Sequence, residues 1–536
     1  VNGLVELARN LRFAASFVAR ALTTDPAWLV LQAARRTPAR VSAALVPLVE
    51  GVVGDGTTGP AGRLRAAWAA GDVAAIRGTT TRTRTERHVR DALLGQIALL
   101  EPDTDAGATS SRPDRPAAKA GQIAVHHHLT NSLPHTQSGY TLRSHAILTA
   151  QRAAGLRLSA TTRAGYPLSI GALGARGTDL VDGVGYRRLV PRSLPADHRR
   201  RLDDGVDLLV RVLEKEQPDV VHATTPWTTG DAARAAAHRL GLPWVYEVRG
   251  LPEETWAASH ATPEARDRAT ASERYALIRA KETELAFAAD HVVTLSGTMR
   301  DELVGRGVPP ERIAVVPNAV DEALLTTPAL SPAEARAELG LPVGGAVIGT
   351  VSSIVGYEGL DTVLRTVAAL RSRGLDVSAL IVGDGVARPG LLRLAEELGI
   401  SEHAHLPGRV PRDVARTYIA ALDVLTVPRR PDRVTRLVTP LKPLEAMAIG
   451  RPVVASDLPA LAEVLSPLDG GSPAGLLVSP DDVDAWADAV AGLLEEGDRR
   501  ESLVTAGREV ASERTWSRLV TRYADVYAAA MTGRTR

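Results

Sequence analysis

Cysteine is absent from this 536-residue chain, which excludes disulfides and thiolate metal sites and leaves any catalysis to other side chains. No apolar run approaches the roughly 20 residues that a bilayer-crossing helix needs. The opening "VNGLVELARNLRFAASFVARAL" lacks the order of segments of an export signal. Net charge is nearly absent too: 63 basic against 62 acidic residues leave +1, which gives no global pull toward nucleic acid. A cytoplasmic protein is expected. What is present, 45% apolar and 23% charged residues, describes a globular chain. Its length exceeds the roughly 250 to 300 residues at which single cores stop growing, so two or three domains are expected.

Residues 1–100 carry helical spacing of apolar residues with Arg9, Arg12, Arg20, Arg35, Arg36 and Arg40 interleaved. Residues 1–120 hold sixteen basic and eleven acidic side chains, about +5. This charge suits either a solvated face or peripheral contact with anionic lipid at the inner face of a membrane. Residues 101–122, rich in Pro, Ser, Ala and Asp, read as a linker. From Ile123 strands and helices alternate, and after "LTTPALSPAEA" the alternation restarts at "AVIGTVSSIV". Two doubly wound α/β domains are expected, 123–325 and 326–515, with a last helix at 516–536 returning to the first. In such sheets ligands lie beyond the carboxyl ends of the strands, so the motifs should sit just after strands, around a cleft between the domains.

"LVTPLKPLEAMAIGRPVVAS" (437–456) puts Lys442 and Glu445 on a short helix before a buried strand. Thr439 is the expected N-cap, Pro440 falls in the first turn, and Gly450 stops the helix. The helix end attracts anions and Lys442 adds a full charge, enough to neutralise a phosphate leaving group, while Glu445 can accept from sugar hydroxyls. The plain alternative is an i,i+3 surface pair contributing about 0.2 to 0.5 kcal/mol. Upstream, "VPRRPDRVTR" offers Arg429 and Arg433, whose guanidinium forks suit phosphate oxygens.

Four motifs, "VPNAVD", "LIVGDG", "PGRVP" and "KPLEAMAIGRPVVAS", stand in the order and spacing of retaining glycosyltransferases of family 4, which the chain resembles over about residues 121–530. More narrowly, "SLPHTQSGYTLRSHAIL", "YEVRGLPEETW" and "YEGLD" resemble a bacterial subgroup associated with exopolysaccharide and exosortase systems. The resemblance implies a GT-B fold and transfer, with retention, from a nucleoside diphosphate sugar, uridine-linked, to a saccharide or lipid-linked acceptor in cell-surface glycoconjugate synthesis. It further implies that Glu445 holds the ribose, that Gly383, Asp384 and Gly385 border the donor, and that backbone at Arg409 and Val410 holds the base. The family's second glutamate is replaced by Leu437, so backbone at Thr439, Pro440 and Leu441 would substitute. Ser352, Ser353 and Glu358 stand where arginine and lysine often occur, which leaves the diphosphate to Lys442, Arg433 and Arg429.

In the first domain Ser138, Gly139 and Tyr140 precede a helix expected to start near Thr141. The glycine either relieves a tight turn or lets backbone approach a ligand. Arg143, Glu247 and Glu253 are further acceptor candidates. Arg249 occupies the place of the family's active-site histidine, where it would stabilise charge or orient the acceptor. His126 and His128 share a strand face while His127 points away, and His222 is expected at a strand end as a supporting polar residue. Without an H-E-x-x-H or cysteine pattern, no metal and no cofactor are expected. Two other readings stay open: a silent scaffold that binds nucleotide sugars, and an epimerase or phosphorylase on the same fold.

Overall fold

The protein is described by a computed structural model covering residues 2–24, 61–102 and 122–532. The expected linker at 101–122 falls almost wholly outside the described residues, as do Arg35, Arg36 and Arg40. Contacts divide the chain into two compact units, Val1–Val292 with Tyr527–Arg536, and Val293–Val526.

The first unit is built on a sheet of β1 (Ala124–Leu129), β2 (Arg157–Thr162), β3 (Thr178–Val181), β4 (Val184–Arg188), β5 (Val220–Thr224) and β6 (Trp244–Val248). They stand in the order β3-β4-β2-β1-β5-β6. Only β3 runs antiparallel, as a hairpin with β4; the pairs β4-β2, β2-β1, β1-β5 and β5-β6 are parallel. A parallel sheet must bury both faces, and β1, β5 and β6 are buried at every position. Helix Trp227–Arg239 covers one face through Ala232, Ala233, Ala236 and Ala237, whose small side chains bring it close to the strands. The dividing point between the units falls in β7 (His291–Thr294).

Among the described residues of the first hundred, helices Asn2–Thr24, Gly62–Ala70, Val73–Gly78 and Arg84–Leu100 are present, and residues 25–60 of the expected helical region lie outside the described residues. Thr83 and Glu86 close a capping box on the last of these, satisfying two of its free N–H groups. Its stripe of Val89, Leu93 and Ile97 packs on Leu64, Val73 and Ile76, the i, i+4, i+8 pattern of an amphipathic helix. Helix Asn2–Thr24 is anchored by Phe13, 1% exposed, and by Asn10, which donates to the carbonyls of Leu173 and Ala175. Leu7, Leu11, Val18 and Leu22 remain exposed on one stripe of that helix.

The second unit begins with the rest of β7 and β8 (Ile313–Val315) and carries its own sheet: β9 (Ala346–Val351), β10 (Val377–Val382), β11 (Ala404–Gly408), β12 (Val424–Val427), β13 (Val453–Ser456) and β14 (Leu476–Val478). Its order β11-β10-β9-β12-β13-β14, parallel throughout, is the doubly wound arrangement with a switch point between β9 and β12. Alternate residues feed two cores. Leu380, Val382, Leu425 and Val453 pack toward helix Lys442–Ala448; Ala379, Ile381, Val424 and Val454 pack toward helices Asp361–Ser372 and Val483–Glu495.

Candidate functional site

In the second unit the loops after β9, β10 and β11 are knitted together at the carboxyl edge of the sheet. Ser352 N–H donates to Val382, Ile354 N–H to Asp384, and Gly383 N–H to Gly408. A Cβ on Gly383 would collide with the Ser352 carbonyl, and one on Gly385 with that of Ile354. Gly383 also lies at φ +136°, where a side chain is strained. Both glycines are therefore required by backbone packing. Asp384 is exposed and its carboxylate accepts from Gly385 N–H. Arg409 is exposed and Val410 half-buried, just past β11.

Lys442 lies against this edge. Its ammonium donates to Ser352 Oγ and to Glu358 Oε2 at 2.8 Å. The carboxylate that grips Lys442 is thus Glu358 and not the neighbouring Glu445, which is half-buried on the same helix. Arg429 holds Glu358 from the other side, Nη2 to Oε1 at 2.9 Å and Nε to Oε2 at 3.3 Å, and donates to the Val438 carbonyl. Burial alone would raise the Glu358 carboxyl; Arg429 and Lys442 outweigh it and hold it down at about 2. Burial lowers Lys442 below the usual ammonium value, with Glu358 opposing. Two cations around one carboxylate leave this trio with one net positive charge, on which the nearby Glu445 also acts through Lys442. Lys442 keeps 19% of its side chain exposed, against 9% for Arg429 and 7% for Glu358, so it is the member of the trio that faces water.

Several expectations require correction. The helix starts at Lys442 with Leu441 at the N-cap position and no side-chain cap; the proline in its first turn is Pro443, whose fixed φ and missing N–H suit that place. Thr439 and Pro440 precede the helix, and Asn318 Nδ2 donates to the Thr439 carbonyl. With seven residues the helix has fewer than two turns, so Lys442 itself supplies the charge. Arg429 spends its fork on Glu358 and Val438. Arg433, half exposed, forms its ion pair with Glu302 at 3.2 Å.

The first unit holds a second cluster, around Glu247 of β6. This carboxylate is fully buried: Oε1 accepts from Arg143 Nε at 3.1 Å and Nη2 at 2.9 Å, and Oε2 from Arg249 Nη2 at 2.6 Å. His222 Nε2 lies 3.1 Å from Oε2, and its Nδ1 2.7 Å from the Tyr527 hydroxyl. Burial would raise Glu247, but Arg249, Arg143 and His222 hold it well below the carboxylate range. Arg249 also donates to Ser144 Oγ and the Tyr140 carbonyl, and it lines a cavity of about 450 Å³ with Ser138, Tyr140, Ser144, Thr225 and Trp256. Glu253 is buried in helix Pro252–Ala258.

Helix Gly139–Ala153 starts two residues before the expected Thr141, because Ser138 is its N-cap and accepts from Thr141 N–H. Gly139 is not in the left-handed region and a Cβ there would meet nothing within 4 Å, which removes the tight-turn account. His222 sits in the middle of β5, stacked on His127 at 4.6 Å. His126 bonds Ser159 and Thr161 while His128 bonds Thr161 from the same face; His127 bonds Gln151 on the other. Burial holds His126 at about 3 and His128 at about 4, so at neutral pH these are uncharged core residues. No cluster of three or more metal-ligating side chains occurs among the described residues. Nothing in the sequence marks Tyr527 as the partner of His222, 305 residues away.

Comparison with known proteins bears on both sheets. Residues 345–496 match the family described as Glycosyl transferases group 1, and residues 158–324 match Glycosyltransferase Family 4. The chain is 31% identical over 326 residues to a D-inositol 3-phosphate glycosyltransferase of Saccharomonospora viridis, covering 58% of this chain and 70% of the relative. A namesake from Salinispora arenicola is 30% identical over 330 residues, covering 58% and 69%. Among solved structures, sucrose-phosphate synthase from Thermosynechococcus elongatus superposes with a TM-score of 0.59 at 19% identity, covering 76% of this chain and all of that one. Anabaena HepE, solved with UDP and glucose, gives 0.58 at 17% identity over 76% of this chain and all of HepE. At these identities the structural likeness is one of fold.

Proposed function

Because the chain belongs to glycosyltransferase family 4 and has the GT-B fold, we propose that it moves a sugar, with retention, from a UDP-linked donor to a hydroxyl of a saccharide or lipid-linked acceptor in the building of cell-surface glycoconjugates. The observation that carries this reading is the Lys442 ammonium held over Ser352, beside the Gly383–Gly385 turn at the carboxyl edge of β9 and β10. Negative charge builds on the departing diphosphate in the transition state, and a cation fixed in advance stabilises it without reorganising. Glu358 and Arg429 position Lys442, leaving net positive charge for the diphosphate. Glu445 is assigned to the ribose, and backbone near Arg409 and Val410 to the base. UDP is favoured as the carrier because HepE, of the same fold, is solved with it.

Arg249 is assigned to the acceptor side. It lines the 450 Å³ cavity with hydroxyls from Ser138, Tyr140, Ser144 and Thr225, groups suited to a polyhydroxylated ligand. A phosphorylated polyol is the second acceptor reading, favoured by the name of the relatives at 30 to 31% identity and by the Arg249 guanidinium in that wall. Peripheral membrane contact draws support from the exposed Leu7, Leu11, Val18 and Leu22 stripe; vesicle flotation unchanged by deleting residues 2–24 would remove it. The deciding experiment incubates the full chain with a panel of nucleotide sugars and acceptors. Release of UDP together with an α-linked product from an α-linked donor is expected; inversion, or release of no nucleotide from any donor, would sink the reading.

A further inference from the structure

A second cavity in the first unit, of about 410 Å³, lies where the helices of residues 62–100 cover the α/β body. Trp68, Leu99 and Leu100 from those helices form part of its wall, with Leu202 and Ile278 of the body. Its volume is within the range of small-molecule sites, about 300 to 1,000 Å³. Residues 62–100 lie outside both family-matched stretches, 158–324 and 345–496.

The charge of this cavity is one-sided. Arg163, Arg201 and Arg274 line it, along with His198, and among the described residues no aspartate or glutamate does. Arg163 has the Tyr166 ring 5.6 Å away as its side-chain contact, and no described carboxylate or carbonyl takes a hydrogen bond from its guanidinium. Arg201 donates Nε to the Pro195 carbonyl at 2.7 Å. Arg274 is sandwiched by Trp68 and Trp256, 4.1 and 4.6 Å from their centroids. It gives Nη1 to the Trp68 carbonyl, and its buried Nε has no acceptor among the described residues. Burial lowers all three guanidinium pKa values, Arg274 to about 10, and holds His198 at about 4.

Taking guanidinium groups out of water is costly unless an anion meets them. Arg163, Arg201 and Arg274 are half-buried, whereas the fully buried arginines of this unit have carboxylates, as Arg143 and Arg249 have Glu247 and Arg188 has Asp179. Three forks around one space exceed the two oxygens of a carboxylate and match the several oxygens of a phosphoryl group. The tryptophan and leucine walls offer nothing to a second charge but suit hydrocarbon. We propose that this cavity binds a phosphorylated amphiphile, its phosphoryl group between Arg163, Arg201 and Arg274 and its apolar chain along Trp68, Leu99 and Leu100. The site is distinct from the Lys442 edge and does not depend on the donor reading.

The test is calorimetric titration of the full chain with decyl phosphate, decanol and inorganic phosphate, each below micelle formation. Decyl phosphate is expected to bind, the other two to bind at least about tenfold more weakly, and Arg163→Gln and Arg201→Gln each to weaken decyl phosphate about tenfold, as loss of a charge-assisted hydrogen bond implies. Arg274 also clamps two tryptophans, so its substitution is left out, and unchanged melting temperatures show that the chosen variants fold. Decanol binding as tightly as decyl phosphate, or both variants binding normally, would overturn the phosphoryl site. Inorganic phosphate binding as tightly would overturn the amphiphile and leave a free anion as the ligand. UDP titrated in parallel separates the two proposals, since its failure to bind removes the donor reading alone.

Discussion

The two carboxylate clusters each set one carboxylate between two cations, and what separates them most is exposure. Glu247 lies between Arg143 and Arg249, and Glu358 between Arg429 and Lys442. In the first unit every member is sealed, with side-chain exposures of 0 to 3%. In the second, the lysine keeps 19% exposure. A sealed trio keeps its charges paired with one another, because reorganising it would strand charge in the interior. A trio with one open cation can exchange part of its internal pairing for a ligand. The Glu247 cluster is read as the frame that holds Arg249 at its cavity, and the Glu358 cluster as a mount that presents Lys442.

The strongest way to break this contrast is Glu247→Gln. The shape is kept while Arg143, Arg249 and His222 lose the charge they share, so stability should fall by about 3 to 5 kcal/mol, seen as a large drop in melting temperature. A variant that melts like the parent would mean that the cluster braces nothing. Lys442→Ala comes next and should act on the other axis. It should lower kcat/KM by about 3 to 4 kcal/mol of transition-state stabilisation while the melting temperature moves far less than for Glu247→Gln. Equal losses of stability in the two variants would erase the distinction between brace and mount.

Much of this was legible beforehand. The two sheets could be read because short strand-like runs such as "VSALIVGDG" alternate with helical patterns, whereas Gly383 and Gly385 stood out only through the family resemblance, and their close backbone approach to Ser352 and Ile354 is a finding of the structure. Partners distant in sequence were not legible. Glu358 stands 84 residues before Lys442 and 71 before Arg429. It could be seen only as a departure from the family's cation at that place, whereas the structure makes it the counter-charge of both. Arg429 and Arg433 illustrate the same limit, since four arginines in a row of eight residues do not say which is buried. The helix start is ambiguous in sequence because two prolines, Pro440 and Pro443, each carry the same first-turn signal.

The finest test of the contrast is Glu358→Gln measured against pH. Its folded-state pKa, about 2, lies below the ordinary carboxylate value of 4.5, so its charge contributes stability above pH 4.5 that is lost as pH falls through about 2. The shift corresponds to about 3 kcal/mol at most, and less in practice because Lys442 retains water. The melting-temperature gap between parent and Glu358→Gln should therefore be full at pH 6 and close progressively below pH 4.5. Freed from its carboxylate, Lys442 should meanwhile hold UDP at least as tightly as in the parent, because one competing negative charge is gone. A gap that stays constant with pH would show that Glu358 does not carry the charge assigned to it. Weaker UDP binding would show instead that the lysine needs its mount more than it needs its charge unshared.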